Sequence, residues 1–118
     1  MTEESHPDNI LVFNGTLDEL MLVVNSKETL VVLDIFWVWC GPCRKLSENL
    51  PQIAKENPDV FFIKIDSDKN PQIVEKYEVQ MFPTLIFMKK SNLLEIHIGS
   101  NIRDIKEKIQ LHKGNNLT

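Results

Sequence analysis

The chain has two cysteines, and both stand in one tetrapeptide, Cys40-Gly41-Pro42-Cys43, directly after an apolar run that ends in Trp39. Thiols concentrated in this way point to redox chemistry. A Cys-x-x-Cys pair that leaves a strand and enters a helix sets its first sulfur at the helix N-terminus, where unpaired N–H groups and the dipole favour the thiolate. Such a setting lowers a cysteine pKa from about 8.5 to between about 3.5 and 7.5. Cys40 is therefore the candidate nucleophile. Cys43, one helical turn on, can bond the first sulfur and is the candidate resolving thiol. So short a loop constrains the unfolded chain little, so a stabilising staple is the poorer reading.

Asp34 is the second informative residue, because it interrupts the apolar run Leu30 to Phe36 six positions before Cys40. A buried carboxyl is costly unless paired or protonated, and burial raises its pKa. One reading has Asp34 exchanging a proton with Cys43 through a water. The other has a structural acid paired with Lys64, which interrupts the neighbouring apolar strand in the same way. A metal site is disfavoured: zinc takes four ligands, and two cysteines without a nearby histidine pair fall short. His6 belongs to a loose tail, His97 to the outer face of an edge strand, and His112 to a helix end where a cation suits the dipole.

The elements that must position these residues can be read from the pattern. At 118 residues the chain is one domain, with residues 10–113 ordered between tails at 1–9 and 114–118. Ile10 to Phe13 read as a strand, and Thr16 as the cap of a helix whose Leu17, Leu20, Met21 and Val24 share a face. Leu30 to Phe36 read as a strand covered on both sides. A long helix follows the cysteines, burying Leu46, Leu50, Ile53 and Ala54 and kinked by Pro51. Val60 to Ile65 form the next strand, and Asn70-Pro71 cap and open a shorter helix with Ile73, Val74 and Tyr77. Leu85 to Met88 and Leu93 to Ile98 make a hairpin, with Asn92 suited to a left-handed turn position. In its second strand Leu94, Ile96 and Ile98 alternate with Glu95 and His97, which puts the polar pair toward water. A last helix buries Ile102, Ile105 and Ile109. The order implies an α/β fold, a central mixed sheet with helices on both faces.

A net charge of −4 with dispersed lysines disfavours nucleic acid as partner. No run has the length of a membrane span, and the acidic N-terminus is no secretory signal, so the expected location is the cytoplasm. Cys-x-x-Cys pairs there are catalytic more often than structural. The sequons at Asn14 and Asn116 would then be idle.

Taken together, Asp34, Trp39-Cys40-Gly41-Pro42-Cys43 with Arg44, Lys64, Asp68-Lys69-Asn70-Pro71, Phe82-Pro83-Thr84 and Gly99 resemble the thioredoxin family in residue type and spacing. Thioredoxin is itself among the proteins that define the range of lowered cysteine pKa values given above. The resemblance implies a thioredoxin fold of five strands and four flanking helices, with a cis peptide before Pro83. It implies a protein-disulfide reductase that binds no cofactor, acts on disulfide-containing proteins as a monomer, and is recharged with NADPH electrons by thioredoxin reductase. Lys64 would support Asp34. The backbone at Phe82 would pair with an extended substrate segment, and Trp39, Gly41, Pro42, Met81, Phe82, Pro83, Ile98 and Gly99 would surround Cys40 as a docking surface. Gly-Pro between the cysteines resembles reducing members rather than oxidases or isomerases. The rival reading is an adaptor module with incidental redox activity. Departures from the family pattern are Trp37 where alanine is usual, which implies altered packing beneath the site, Glu48 where the helix proline usually falls, and no glycine in the last hairpin.

Overall fold

The computed structural model describes residues 7–114; the outer parts of both expected tails, His6 and the Asn116 sequon lie outside them. Among the described residues the order is β1 (Ile10–Phe13), α1 (Leu17–Asn25), β2 (Val31–Phe36), α2 (Gly41–Glu56), β3 (Phe61–Asp66), α3 (Pro71–Lys76), β4 (Thr84–Lys89), β5 (Asn92–Ile98) and α4 (Ile102–Lys113). The strands lie side by side as β1-β3-β2-β4-β5. The first three are parallel to one another, and β4 and β5 run antiparallel to their neighbours. This is the five-stranded mixed sheet with four helices that the resemblance implies.

Strand β2 is central, and its alternation divides the core into two halves. Val32 joins Phe62, Leu85 and Phe87 under α2 and α4, against Leu46, Leu50, Ile53, Ile105 and Ile109. Val31, Leu33 and Ile35 join Ile63, Ile65 and Ile86 on the opposite face, under Leu20 and Val24 of α1 and Ile73 of α3. Burying each such side chain favours folding by about 1.5–3 kcal/mol, so the sheet is held from both sides. Helix α1 opens with a full capping box: Thr16 Oγ1 accepts from Glu19 N, and Glu19 Oε1 accepts from Thr16 N. Helix α2 continues through Pro51 to Glu56.

Four local expectations change. Asn9, grouped above with the N-terminal tail, is anchored: its side chain donates to the carbonyls of Ala54, Asn57 and Val60 at 3.0, 2.9 and 2.8 Å. Asn70 occupies the N-cap of α3, but its side chain makes no cap bond there. It is fully buried and ties three segments together, accepting from Gly15 N at 2.9 Å and donating to Asp66 O at 2.9 Å and Asn14 Oδ1 at 3.2 Å. In the hairpin the left-handed position is Lys90, with φ 56°, rather than Asn92.

The largest change is in β5. Register pairs Glu95 with Phe87 and His97 with Leu85, which face α4, while Ile96 and Ile98 pair with Ile86 and Thr84 on the other side. His97 is accordingly buried, 7 % exposed, and Ile96 and Ile98 face outward. The buried His97 and half-buried Glu95 are tolerated on this face because α4 supplies partners. Lys108 Nζ meets Glu95 Oε2 at 2.8 Å and His97 Nδ1 at 2.9 Å, and His112 Nε2 meets Glu95 Oε1 at 2.7 Å. His112, placed from the sequence near the end of the last helix, is there in the last turn of α4, buried and tilted against the Phe87 ring.

Candidate active site

Cys40 is the N-cap of α2, with extended backbone at φ −125° and ψ 117°. Its Sγ accepts from the backbone N of Cys43 at 3.1 Å, the position that a capping oxygen takes in other helices. The first turn of α2 carries no acidic side chain, so nothing there competes with negative charge on that sulfur. Pro42 stands inside the first turn, where a missing N–H costs nothing. The helix thus brings Cys43 back under Cys40, with Cα atoms 5.2 Å apart and the two sulfurs joined as a disulfide. Cys40 is half-buried and Cys43 is buried, so an incoming group reaches Cys40 first.

Behind the pair lies a cavity of about 230 Å³, lined by Asp34, Trp37, Cys40, Cys43, Ser47 and Lys64 among others. The cavity has room for water, and Asp34, Ser47 and Lys64 offer it polar partners. Asp34 projects from β2 toward α2 and is buried, with Oδ1 lacking any hydrogen-bond partner. Loss of solvent raises its pKa to about 7, and the positive charge of Lys64 offsets only part of that rise. Lys64 lies beside Asp34 in the sheet register but is not its ion-pair partner. Its Nζ donates to Ser47 Oγ at 2.9 Å and sits 5.4 Å from the centre of the Phe36 ring. The pairing alternative for Asp34 is therefore not realised as a contact, and Lys64 acts on it through space. Ser47 was not singled out from the sequence, although its place four residues after Cys43 puts both on one side of α2.

The rim is built by two loops. The Phe82-Pro83 peptide is cis, and Phe82 O lies 3.6 Å from Cys40 Sγ. Thr84 Oγ1 donates to Met81 O at 2.6 Å, and Gly99 N donates to Pro83 O at 2.9 Å, which fixes the two loops to each other. Gly99 has φ +112°, a conformation open to glycine at little cost. Around Cys40 the side chains of Trp39, Met81 and Ile98 are 76 %, 60 % and 55 % exposed. Gly41 and Pro42 are exposed, Phe82 is half-buried and Pro83 buried. Trp37 lines the cavity behind the cysteines and is 39 % exposed, tilted 35° against Phe82 with ring centres 6.4 Å apart. The strand β2 ends at Phe36, so the chain has already turned outward where Trp37 begins.

Among the described residues no group of three or more His, Cys, Asp or Glu is placed to hold a metal ion, and no helix is long and apolar enough to cross a membrane. The family model for thioredoxin matches residues 12–111. The chain belongs to the thioredoxin family. It is 42 % identical to a thioredoxin of Echinococcus granulosus over 83 residues, 70 % of this chain and 78 % of the other. With a thioredoxin of Geodia cydonium it is 35 % identical over 106 residues, 89 % of this chain and 98 % of the other. The solved thioredoxin of Trichomonas vaginalis superposes with a TM-score of 0.85 at 40 % identity, covering 90 % of this chain and 99 % of that one. As a thioredoxin-family member with the Cys40–Cys43 pair, the protein is a thiol-disulfide oxidoreductase. Thioredoxins carry the exchanged electrons on the cysteines themselves and bind no cofactor.

Proposed function

We infer that residues 10–113 act as a reductase of protein disulfides, with each site residue in a distinct role. The observation that carries this reading is the capped, reachable sulfur of Cys40 beside Phe82 O, with the buried carboxyl of Asp34, its Oδ1 unpartnered, lining the same cavity as Cys43. The Cys40 thiolate attacks one sulfur of a substrate disulfide, and the other substrate sulfur leaves as a thiolate that takes up a proton. Cys43 then loses its proton to Asp34 through cavity water and attacks Cys40 Sγ in the mixed disulfide. The substrate departs with two electrons and two protons gained, and Cys40–Cys43 is left oxidised. Lys64 moderates the basicity of Asp34 through space.

Trp39, Gly41, Pro42, Met81, Phe82, Pro83, Ile98 and Gly99 form the docking surface, in which Phe82 O accepts a hydrogen bond from an extended substrate segment. A flavin-dependent thioredoxin reductase drawing on NADPH restores the dithiol. That supply favours a cytoplasmic protein, where thiols are kept reduced, acting as a monomer in electron transport and redox balance. The test is reduction of insulin disulfides with dithiothreitol as electron source. The native protein should accelerate precipitation of the insulin B chain well above a variant with both Cys40→Ser and Cys43→Ser. Equal rates would sink the reductase reading, and with NADPH and thioredoxin reductase replacing dithiothreitol the same assay tests the proposed electron supply.

A further inference from the structure

Trp37 belongs to neither half of the core, yet it is not a free surface side chain. Phe82 packs on the core under α1 and α3, and its ring holds Trp37 at a separation and tilt typical of paired aromatics. Val38 beside it is 48 % exposed, so Trp37-Val38-Trp39 present three consecutive large apolar side chains just before the nucleophile. Trp37 and Val38 line the cavity that also holds Cys40, and Phe82 supplies both the Trp37 ring contact and the carbonyl beside Cys40 Sγ. Water gains nothing from contact with this surface, and a docked polypeptide would bury it.

We propose that Trp37 is a specificity-determining residue, which with Phe82 and Val38 forms an apolar subsite for a large apolar side chain flanking the attacked cysteine of a protein or peptide disulfide. The proposal rests on the reductase reading above and adds the class of substrate preferred. Its occupant is an extended segment, as the backbone pairing proposed above at Phe82 O requires, and an extended backbone turns alternate side chains toward the same wall. A small soluble disulfide carries no flanking residue to fill this subsite. The effect of Trp37 is therefore greatest on substrates long enough to carry one.

The experiment compares kcat/KM for three disulfide-linked peptides that differ only beside the cysteine, carrying leucine, glycine or glutamate, and for the small disulfide 5,5′-dithiobis(2-nitrobenzoate). The native protein should prefer the leucine peptide to the glycine peptide. Trp37→Ala should reduce that preference about tenfold through KM, from the loss of buried apolar area. Trp37→Phe should restore most of it, and turnover of the small disulfide should fall much less than that of the leucine peptide. An equal loss on all four substrates would make Trp37 a structural residue and overturn the proposal, as would an unchanged leucine-to-glycine ratio or a preference for glutamate lost in its place. Should the native protein reduce the small disulfide but show no preference among the peptides, only the subsite is refuted. Failure to reduce any of the four would refute the reductase reading with it.

Discussion

Asp34 is neutral in the folded protein over a range of pH where it is charged in the unfolded chain. Its pKa rises from 3.8 to about 7 because burial removes water from the carboxylate, with Lys64 opposing. Between those values the folded state holds a proton that the unfolded state has lost, so stability falls as pH rises from about 3.8 to about 7 and then levels off. Asparagine keeps the shape and removes the charge. Asp34→Asn should therefore be more stable than the native protein at pH 8 by about 2–4 kcal/mol in urea denaturation, at 1.36 kcal/mol per unit of displacement. At pH 4 the difference should almost vanish. A variant no more stable at pH 8 would mean that the carboxylate is already compensated. The same substitution should leave the first attack by Cys40 intact and slow release of the mixed disulfide by about 10²-fold in stopped-flow measurements, the usual worth of a positioned base. Equal effects on both steps would reduce Asp34 to a structural acid.

At the scale of elements, the contact between β5 and α4 carries a pH dependence of opposite sign. Burial lowers the pKa of His97, and the Lys108 charge lowers it further while Asp104, Glu95 and the Gly99 backbone favour the charged ring. Hydrogen bonds from Lys108 and His112 hold the Glu95 carboxyl below its usual range. For both groups the unfolded chain binds more protons than the folded one, so stability falls with acid: first below about 6.5 through His97, then through the carboxylate range. In the Asp34→Asn background, where the opposing slope is gone, stability should drop between pH 7.5 and 5.5. Adding His97→Gln should flatten that drop. A profile that stays steep would assign the slope to other groups.

This contact also marks where the sequence could and could not be read. Cys40 and Cys43 are legible because two thiols at this spacing have few structural uses, and Asp34 stands out by interrupting an apolar strand, whereas the cis peptide at Phe82-Pro83 comes from the family resemblance alone. The faces of α1 and α2 are legible because helical period separates Leu20 and Val24, or Leu46 and Leu50, from their polar neighbours. In β5 the alternation misleads: isoleucines alternate with a glutamate and a histidine, and the rule that apolar residues face inward inverts the strand. The deciding fact is Lys108, thirteen residues after Glu95 and on another element, which makes a polar interior affordable. Asn70 misleads for the same reason. Its local chemistry suits a helix cap, but its hydrogen bonds go to the ends of β1 and β3 and the loop before α1. Long-range partners of polar side chains leave no trace in spacing.

Over the whole molecule, the sheet order puts the catalytic scaffold in the middle and the polar cluster at one edge. Strand β2 is bonded on both sides, to β3 and β4, and leads directly to the cysteines, whereas β1 and β5 each pair on one side. Protection against exchange with deuterated water should follow that order. Amides of Leu33, Asp34 and Ile35 should exchange only when the whole domain unfolds, and those of β5 and α4 at least about tenfold faster through partial opening. Mass-spectrometric exchange on the oxidised protein can measure this, and equal rates in β2 and β5 would contradict it. An opening that frees β5 and α4 leaves β2 bonded to β3 and β4, but it parts Gly99 N from Pro83 O and uncovers the core face of α2. Fraying at this margin therefore spares the sulfurs and loosens the rim around them, so the rim is whole only while the edge is closed.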